Sequence, residues 1–442
     1  MKNFFIRLGL QLGLLIVAVA VLVAWAFLPA VGALALAVVV ALWLGLTRRG
    51  RQACSVASVG LSTLRQRLGA SAVIVVGIAG VVGVLVALLA MAEGYAQTLR
   101  ATGSEDTAIV LRGASAAEVM SGLDHDSTTL IAQAPGIARD AKGNPIASPE
   151  IVVAANLHPK GGAPEEFGSV QMRGVSDSAW VLRPNVKIVE GRRFTPGLRE
   201  LIVGKSAAKQ FDGLTPGSVI RLGSQPWTVV GIFASGDALD SEIWSDAPMV
   251  ADAYRRGASR NSVTVRLTDP AAFKAFKGDL EANPALKVEA STTASYFEKQ
   301  SERMTKIIRV MGITVGVIMA IGAMFGALNT KFAAVSARSR EIATLRAIGF
   351  AGLPVVVAVM LETMLLAALG GLLGGLVAWA LFDGFSASTM AGTVGKLSFE
   401  LRVTPALVWT GMQWALAIGF IGGLYPAVRA ARLPITVALR EA

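Results

Sequence analysis

Residues 339–375 read SREIATLRAIGFAGLPVVVAVMLETMLLAALGGLLGG. Up to Gly349 the stretch is short, basic and amphipathic. Ile342, Leu345 and Ile348 recur at three-residue steps and share one helix face, flanked by Arg338, Arg340, Glu341 and Arg346. Beyond Leu353-Pro354 only Glu362 interrupts an apolar run that contains Gly370, Gly371, Gly374 and Gly375. An apolar ridge bordered by basic groups docks in a groove of a soluble partner or lies on anionic headgroups. Joined to a long apolar helix, it places this part of the chain at a membrane surface, turning into the bilayer.

The whole chain shows the same division between lipid and water. Its 442 residues are 53% hydrophobic and 16% charged, with a mean hydropathy of +0.58. That is too apolar for an ordinary soluble protein and too charged to lie wholly in lipid. Four runs, 72–92, 307–328, 355–382 and 404–427, are long enough to cross a hydrocarbon core of roughly 30 Å. A fifth apolar region, 8–46, is broken only at Leu28-Pro29-Ala30. It has the length for two short spans with a tight turn, or for a signal-peptide-like segment followed by one span.

Basic residues accumulate on the cytoplasmic side of membrane proteins. Arg48, Arg49, Arg51, Arg65 and Arg67 have no acid among them, Lys331, Arg338, Arg340 and Arg346 meet only Glu341, and Arg429, Arg432 and Arg440 meet only Glu441. Residues 93–306, by contrast, hold 24 basic and 25 acidic residues. The net charge of +11 is therefore a topology signal and gives no ground for a nucleic-acid partner. Both flanks of the first apolar region are basic, which favours a hairpin over a single crossing. The expected order is a transmembrane hairpin over 1–47, a cytoplasmic basic segment over 48–71, a core span over 72–92, an outer domain over 93–306, and three spans with an amphipathic helix at about 336–352 inside 307–442. Six spans then leave both termini in the cytoplasm.

The outer stretch alternates β-rich segments such as 150–154, 186–189, 201–203, 218–222 and 227–233 with Gly/Pro turns and with helical stretches at about 115–134, 204–211 and 270–282, which predicts a mixed α/β domain. A catalytic constellation is hard to find. Gly204-Lys205-Ser206 resembles the end of a phosphate loop, but the glycine required five residues earlier is Arg199. The two histidines, His125 and His158, share their side of the membrane with no cysteine, because the single cysteine, Cys54, falls in the cytoplasmic basic segment. The expectation is a protein that is not itself an enzyme and binds no metal or cofactor directly.

Three motifs carry a family resemblance. Arg340-Glu341-Ile342-Ala343-Thr344-Leu345-Arg346-Ala347-Ile348-Gly349 resembles the signature that follows the second core span of MacB and FtsX type ABC transporter permeases. The apolar helix with Glu362 and its Gly-Gly steps is similar to that family's next span, and Gly422-Gly423-Leu424-Tyr425-Pro426 through Arg432, then Val437-Ala438-Leu439-Arg440, to its terminal pattern. The resemblance implies a ferredoxin-like porter lobe interrupted by a smaller β-rich lobe, expected near 194–255. It implies that 336–352 is the coupling helix, with Arg338, Arg340, Glu341, Ile342, Leu345, Arg346, Ile348 and Gly349 meeting an ATPase subunit. Because the chain lacks a phosphate loop, ATP and Mg are expected in a separate ABC ATPase. Further implied partners are a second permease copy, homo- or heterodimeric, a periplasmic adaptor and membrane lipids, in the bacterial inner membrane. Export by mechanotransmission is the expected output, and regulation of a cell-wall hydrolase is the alternative.

The pairs Gly312/Gly316, Gly322/Gly326, Gly370/Gly374 and Gly371/Gly375 have the spacing that lets helix backbones approach closely, either within one bundle or between two copies. Glu362, an acid inside a span, is costly unless it faces protein or water. The resemblance implies a structural role for it near the cytoplasmic end, paired with a basic or backbone group.

Overall fold

The computed structural model describes residues 24–25, 28–62, 68–163, 165–390 and 396–432. The first part of the expected N-terminal hairpin, 1–23, and the tail motif 437–440 lie outside the described residues.

α1 (Ala30–Leu46) is apolar on all sides and meets α2 (Arg48–Ser62) at 95°. Thr47 makes the corner: its backbone is extended and its hydroxyl accepts from Gly50 N at 2.9 Å, capping α2. The long helix α3 (Leu68–Thr102) follows, then β1 (Thr107–Arg112), α4 (His125–Ala132), β2 (Ala147–Leu157), β3 (Gly168–Val175), α5 (Ala179–Leu182), β4 (Lys187–Gly191), β5 (Glu200–Gly204), α6 (Lys205–Gln210) and β6 (Val219–Leu222). Next come β7 (Gln225–Ala234), β8 (Glu242–Asp246), α7 (Ala247–Ala253), β9 (Ser262–Arg266), α8 (Ala272–Ala282) and β10 (Val288–Thr292). The chain closes with α9 (Thr293–Ala337), α10 (Ser339–Ala347), α11 (Gly352–Phe382), the hairpin β11 (Ser386–Met390) and β12 (Lys396–Glu400), and α12 (Pro405–Arg432). The described residues form two compact units: a helical one within 1–90, 308–383 and 402–442, and a mixed one within 91–307 and 384–401.

In the helical unit, α3, α9, α11 and α12 are long and apolar enough to cross a membrane, and the bent pair α1–α2 passes the same test jointly. Glycine sets how closely the helices approach. A Cβ on Gly374 would stand 2.5 Å from Ala79 O of α3, one on Gly370 2.9 Å from Val75 O, and those on Gly371 and Gly375 would press Ala415 and Val408 of α12 at 2.9 and 3.0 Å. Only a bare backbone fits such spacing. α9 is the least covered, with 17% of its apolar window buried against 44% for α3 and α11.

The mixed unit contains a four-strand sheet in the order β10-β1-β9-β2, every neighbour antiparallel, with α4 and α8 as crossovers. Two βαβ units joined this way give the ferredoxin-like lobe, packed on Ile131, Phe276 and Leu280. Residues 147–150 of β2 pair with β9, while 151–157 of the same strand pair with β3 and open a second sheet, β2-β3-β8-β5-β7-β4. The inserted lobe therefore runs from about 151 to 261, not 194–255 as the sequence suggested. The boundary is hidden because one strand serves both sheets and no loop marks the crossing. Its core holds Trp227, Leu201 and Phe211, with Trp244 and Phe233 in a smaller cluster on the other side.

Three further differences from the sequence reading appear. Of the segment expected as a basic stretch over 48–71, residues 48–62 form α2, whose Gly50, Ala53, Val56, Ala57 and Gly60 are buried, and 68–71 already open α3. The helix expected over 115–134 shortens to α4, preceded by a single 3-10 turn at Glu118–Met120. The hairpin β11–β12, far along the chain, joins the mixed unit: Phe399 stacks edge-on against Tyr95 at 5.6 Å, and Ser398 N donates to Ser241 Oγ at 2.9 Å.

Candidate partner-docking site

α10 is defined by its ends. Gly349 takes φ +107, a conformation costly to any residue with a Cβ. It lets Gly349 N donate to Arg346 O and Phe350 N to Leu345 O, both at 3.1 Å, the paired bonds of a Schellman cap. Leu345 and Phe350 then meet in an apolar cluster with Val56 and Ala57 of α2 and Ala358 of α11. Pro354 sits in the first turn of α11, where no intrahelical donor is lost.

The apolar ridge read from the sequence thus divides. Ile342 is buried with Val335, Val355, Val359, Ala427 and Ala430, and Leu345 is half-buried against α2 and α11. Both seat α10 on its own bundle. Ile348, 72% exposed, stands clear with Arg340, Glu341, Thr344 and Gly349 on the opposite side, while Arg346 is intermediate. A helix held on one face and open on the other is a handle that a second protein can grip.

Arg338 and Glu362 lie at the root of this handle. Lys331 Nζ of α9 donates to Glu362 Oε1 at 2.9 Å, and Arg338 Nη1 lies 3.6 Å from Glu362 Oε2 while its Nε donates to Glu341 at 3.0 Å. One carboxylate therefore joins the end of α9, the start of α10 and α11, all beside α2: a Cβ on Gly60 would stand 3.2 Å from Arg338 Nη1. Burial makes such a cluster depend on all its members. Lys331 was not singled out from the sequence as this partner, although it falls 31 positions before Glu362 near the end of the preceding span.

Of the spaced glycines, Gly312 and Gly316 pack on Leu88 and Leu85 of α3, and Gly370, Gly371, Gly374 and Gly375 pack on α3 and α12. Beyond the backbone of α9 itself, no atom of the described residues lies within 4 Å of the position a Cβ on Gly322 or Gly326 would take. They lie on the sparsely covered α9 amid exposed Ile318, Ile321 and Phe325.

The mixed unit holds a second charged cluster that sequence reading missed. Arg173, 1% exposed on β3, donates to Glu118 (2.9 Å), Glu150 (2.8 Å) and Glu242 (2.8 Å); Arg183 also grips Glu150, and Trp244 Nε1 donates to Glu242. Glu118 and Glu150 sit at the edge of the ferredoxin-like lobe and Arg173 and Glu242 in the inserted one, so the cluster ties the two together. Burial works against ionisation of Glu118, but the Arg173 guanidinium and the Ser262 hydroxyl outweigh it and hold the carboxyl below its usual range. The members come from positions 118 to 242, and no local spacing announces them.

A glycine-packed bundle of helices long enough to cross a membrane, a capped surface helix open on one side and an α/β unit placed in the chain between two of those helices are the parts of a permease-like membrane protein. Comparison with known proteins agrees. Residues 71–283 match the family described as MacB-like periplasmic core domain, and 313–435 the FtsX-like permease C-terminal region. The uncharacterized ABC transporter permease YknZ of Bacillus subtilis is 24% identical over 306 residues, covering 66% of this chain and 75% of that one. The macrolide export ATP-binding/permease protein MacB of Bordetella avium is 24% identical over 420 residues, covering 89% of this chain. The chain spans 61% of that relative's length. The crystal structure of the periplasmic region of MacB from Actinobacillus actinomycetemcomitans aligns with 47% of this chain and 97% of its own, at 15% identity and a TM-score of 0.35. The chain belongs to the MacB/FtsX-type ABC transporter permeases, membrane proteins of the bacterial inner membrane.

Proposed function

We propose that this permease receives force from a separate ABC ATPase at α10 and delivers it to the mixed unit, which moves substrate outside the inner membrane or extracted from its outer leaflet. The observation that carries this reading is the two-sided burial of α10. Ile342 and Leu345 fix it to α11, α12 and α2, while Arg340, Glu341, Thr344 and Ile348 remain open to a partner. Arg338, Lys331 and Glu362 couple a displacement of α10 to α9 and α11. α3 and α9 supply residues to both units without a break in the helix, giving the motion a path outward.

ATP and Mg then bind in the partner ATPase. Two permease copies work together, and the exposed α9 face with Gly322 and Gly326 supports a helix contact between them. Both termini face the cytoplasm, the mixed unit faces the periplasm, and an adaptor takes the substrate onward.

The test is co-purification from a detergent extract of the native membrane. The expected result is that an ABC ATPase accompanies the wild-type chain and is lost from the Arg340→Glu/Ile348→Asp double variant, which still inserts and melts normally. Undiminished recovery of the ATPase with that variant would sink the proposal.

A further inference from the structure

The ferredoxin-like lobe carries an open groove of about 710 Å³ between α4, the turn over 139–145 and the loop over 257–260. Its size lies within the range of roughly 300–1,000 Å³ usual for small-molecule sites. Two guanidiniums stand at it, each on a backbone that is already fixed. Arg139 pairs with Pro145 in a β-bridge, and its Nη1 donates to Gly143 O at 2.8 Å. Arg260 exchanges backbone hydrogen bonds with Leu123 at 2.7 and 2.9 Å, and its Nη1 donates to Ser259 O at 2.9 Å and Gly257 O at 3.3 Å.

Every side-chain bond of these two arginines among the described residues goes to a carbonyl oxygen, leaving Nε and Nη2 of each open. The lining contains no aspartate or glutamate, and adds the His125 ring and the Gln133 amide. Burial lowers the basicity of Arg260 despite the pull of Asp246, as expected of a cation whose charge is incompletely compensated. Ala132, Pro145 and Pro149 give the same groove an apolar wall. Pre-positioned donors without acceptors select a molecule rich in acceptors and negative in charge.

We propose that this groove binds a small anionic amphiphile, a phosphate or carboxylate on a compact apolar body. The site lies wholly in the mixed unit and needs no nucleotide, so it stands or falls separately from the ATPase reading. Calorimetric titration of the full chain in a non-ionic detergent with hexyl phosphate, hexyltrimethylammonium and inorganic phosphate tests it. Expected are saturable binding of hexyl phosphate, none of the cation, and competition by inorganic phosphate only at about tenfold or greater concentration, the tenfold corresponding to about 1.4 kcal/mol. Arg139→Gln and Arg260→Gln each weaken hexyl phosphate about tenfold. Arg139→Glu, at an exposed position that the fold does not depend on, abolishes binding with an unchanged melting curve. Equal affinity for the cation, absence of saturable binding, or full affinity in Arg139→Glu would overturn the proposal. Inorganic phosphate binding as tightly as hexyl phosphate would overturn the amphiphile.

Discussion

Replacing Arg173 by leucine removes the cation that three buried carboxylates share. Taking one partner out of a buried ion cluster costs about 3–5 kcal/mol, because the remaining charges stay desolvated. A domain stable by about 5–15 kcal/mol survives that loss. At about 1.4 kcal/mol per tenfold, opening of the affected strands becomes roughly 10² to 10⁴ times more frequent. Amide hydrogen exchange of peptides covering β3 and β8, measured by mass spectrometry on the full chain, reads this locally.

The pH dependence separates the electrostatic cause from simple loss of packing. In the native protein the pKa of Glu118 is held below its unfolded value of about 4.3. Its stabilising contribution is therefore complete above that value and is lost as the pH falls through the lower folded pKa. Without Arg173, burial dominates and raises the carboxyl pKa. The variant then regains protection as the pH drops from about 8 to about 5, where the native protein stays level, because protonation removes the buried charge. Exchange within threefold of wild type, or the same pH profile in both proteins, would refute the reasoning.

Leu345→Asp should lower the melting temperature of the helical unit, whereas Ile348→Asp should leave it unchanged and lose only the ATPase, as thermal unfolding and co-purification would show. Gly374→Ala should destabilise the bundle by about 1–3 kcal/mol through overpacking against Ala79 O. Gly322→Ala should stay within about 0.5 kcal/mol, and both are read from denaturation midpoints. Lys331→Met should weaken the helical unit, with much of the loss recovered in Lys331→Met/Glu362→Gln, since the second change removes the stranded carboxylate; a double-mutant cycle measures the coupling. An impermeant maleimide should modify Cys54, exposed and the only cysteine in the chain, in inside-out vesicles but not in intact spheroplasts.

The long spans were legible because apolar runs of their length have few other uses, and α11 and α12 closely follow the runs read at 355–382 and 404–427. The stop of α10 was legible too, in the glycine that its cap requires. The division of Ile342 and Leu345 from Ile348 was not. Three-residue spacing advances about 300° per step, so successive positions drift around the helix and only packing partners show where the face turns. The same limit hid α2, where small residues at 50, 53, 57 and 60 make a buried face that a scan for large apolar side chains passes over. Arg173 and its glutamates lay beyond any local reading, because the register of β2, β3 and β8 brings them together.

The hairpin of residues 386–400 alters how this protein can be taken apart. A soluble fragment cut at 91 and 307, the natural choice for expression, would leave Tyr95 without the ring of Phe399 and Ser241 without its amide donor. It would also strip cover from Gly94, whose α-carbon is so crowded by the Glu400 carbonyl that only hydrogen fits there. Such an excised piece would carry an uncovered patch where β11 and β12, from a distant part of the chain, belong. Grafting the hairpin back through a short linker would give crystallographers and binding assays the body that the cell makes.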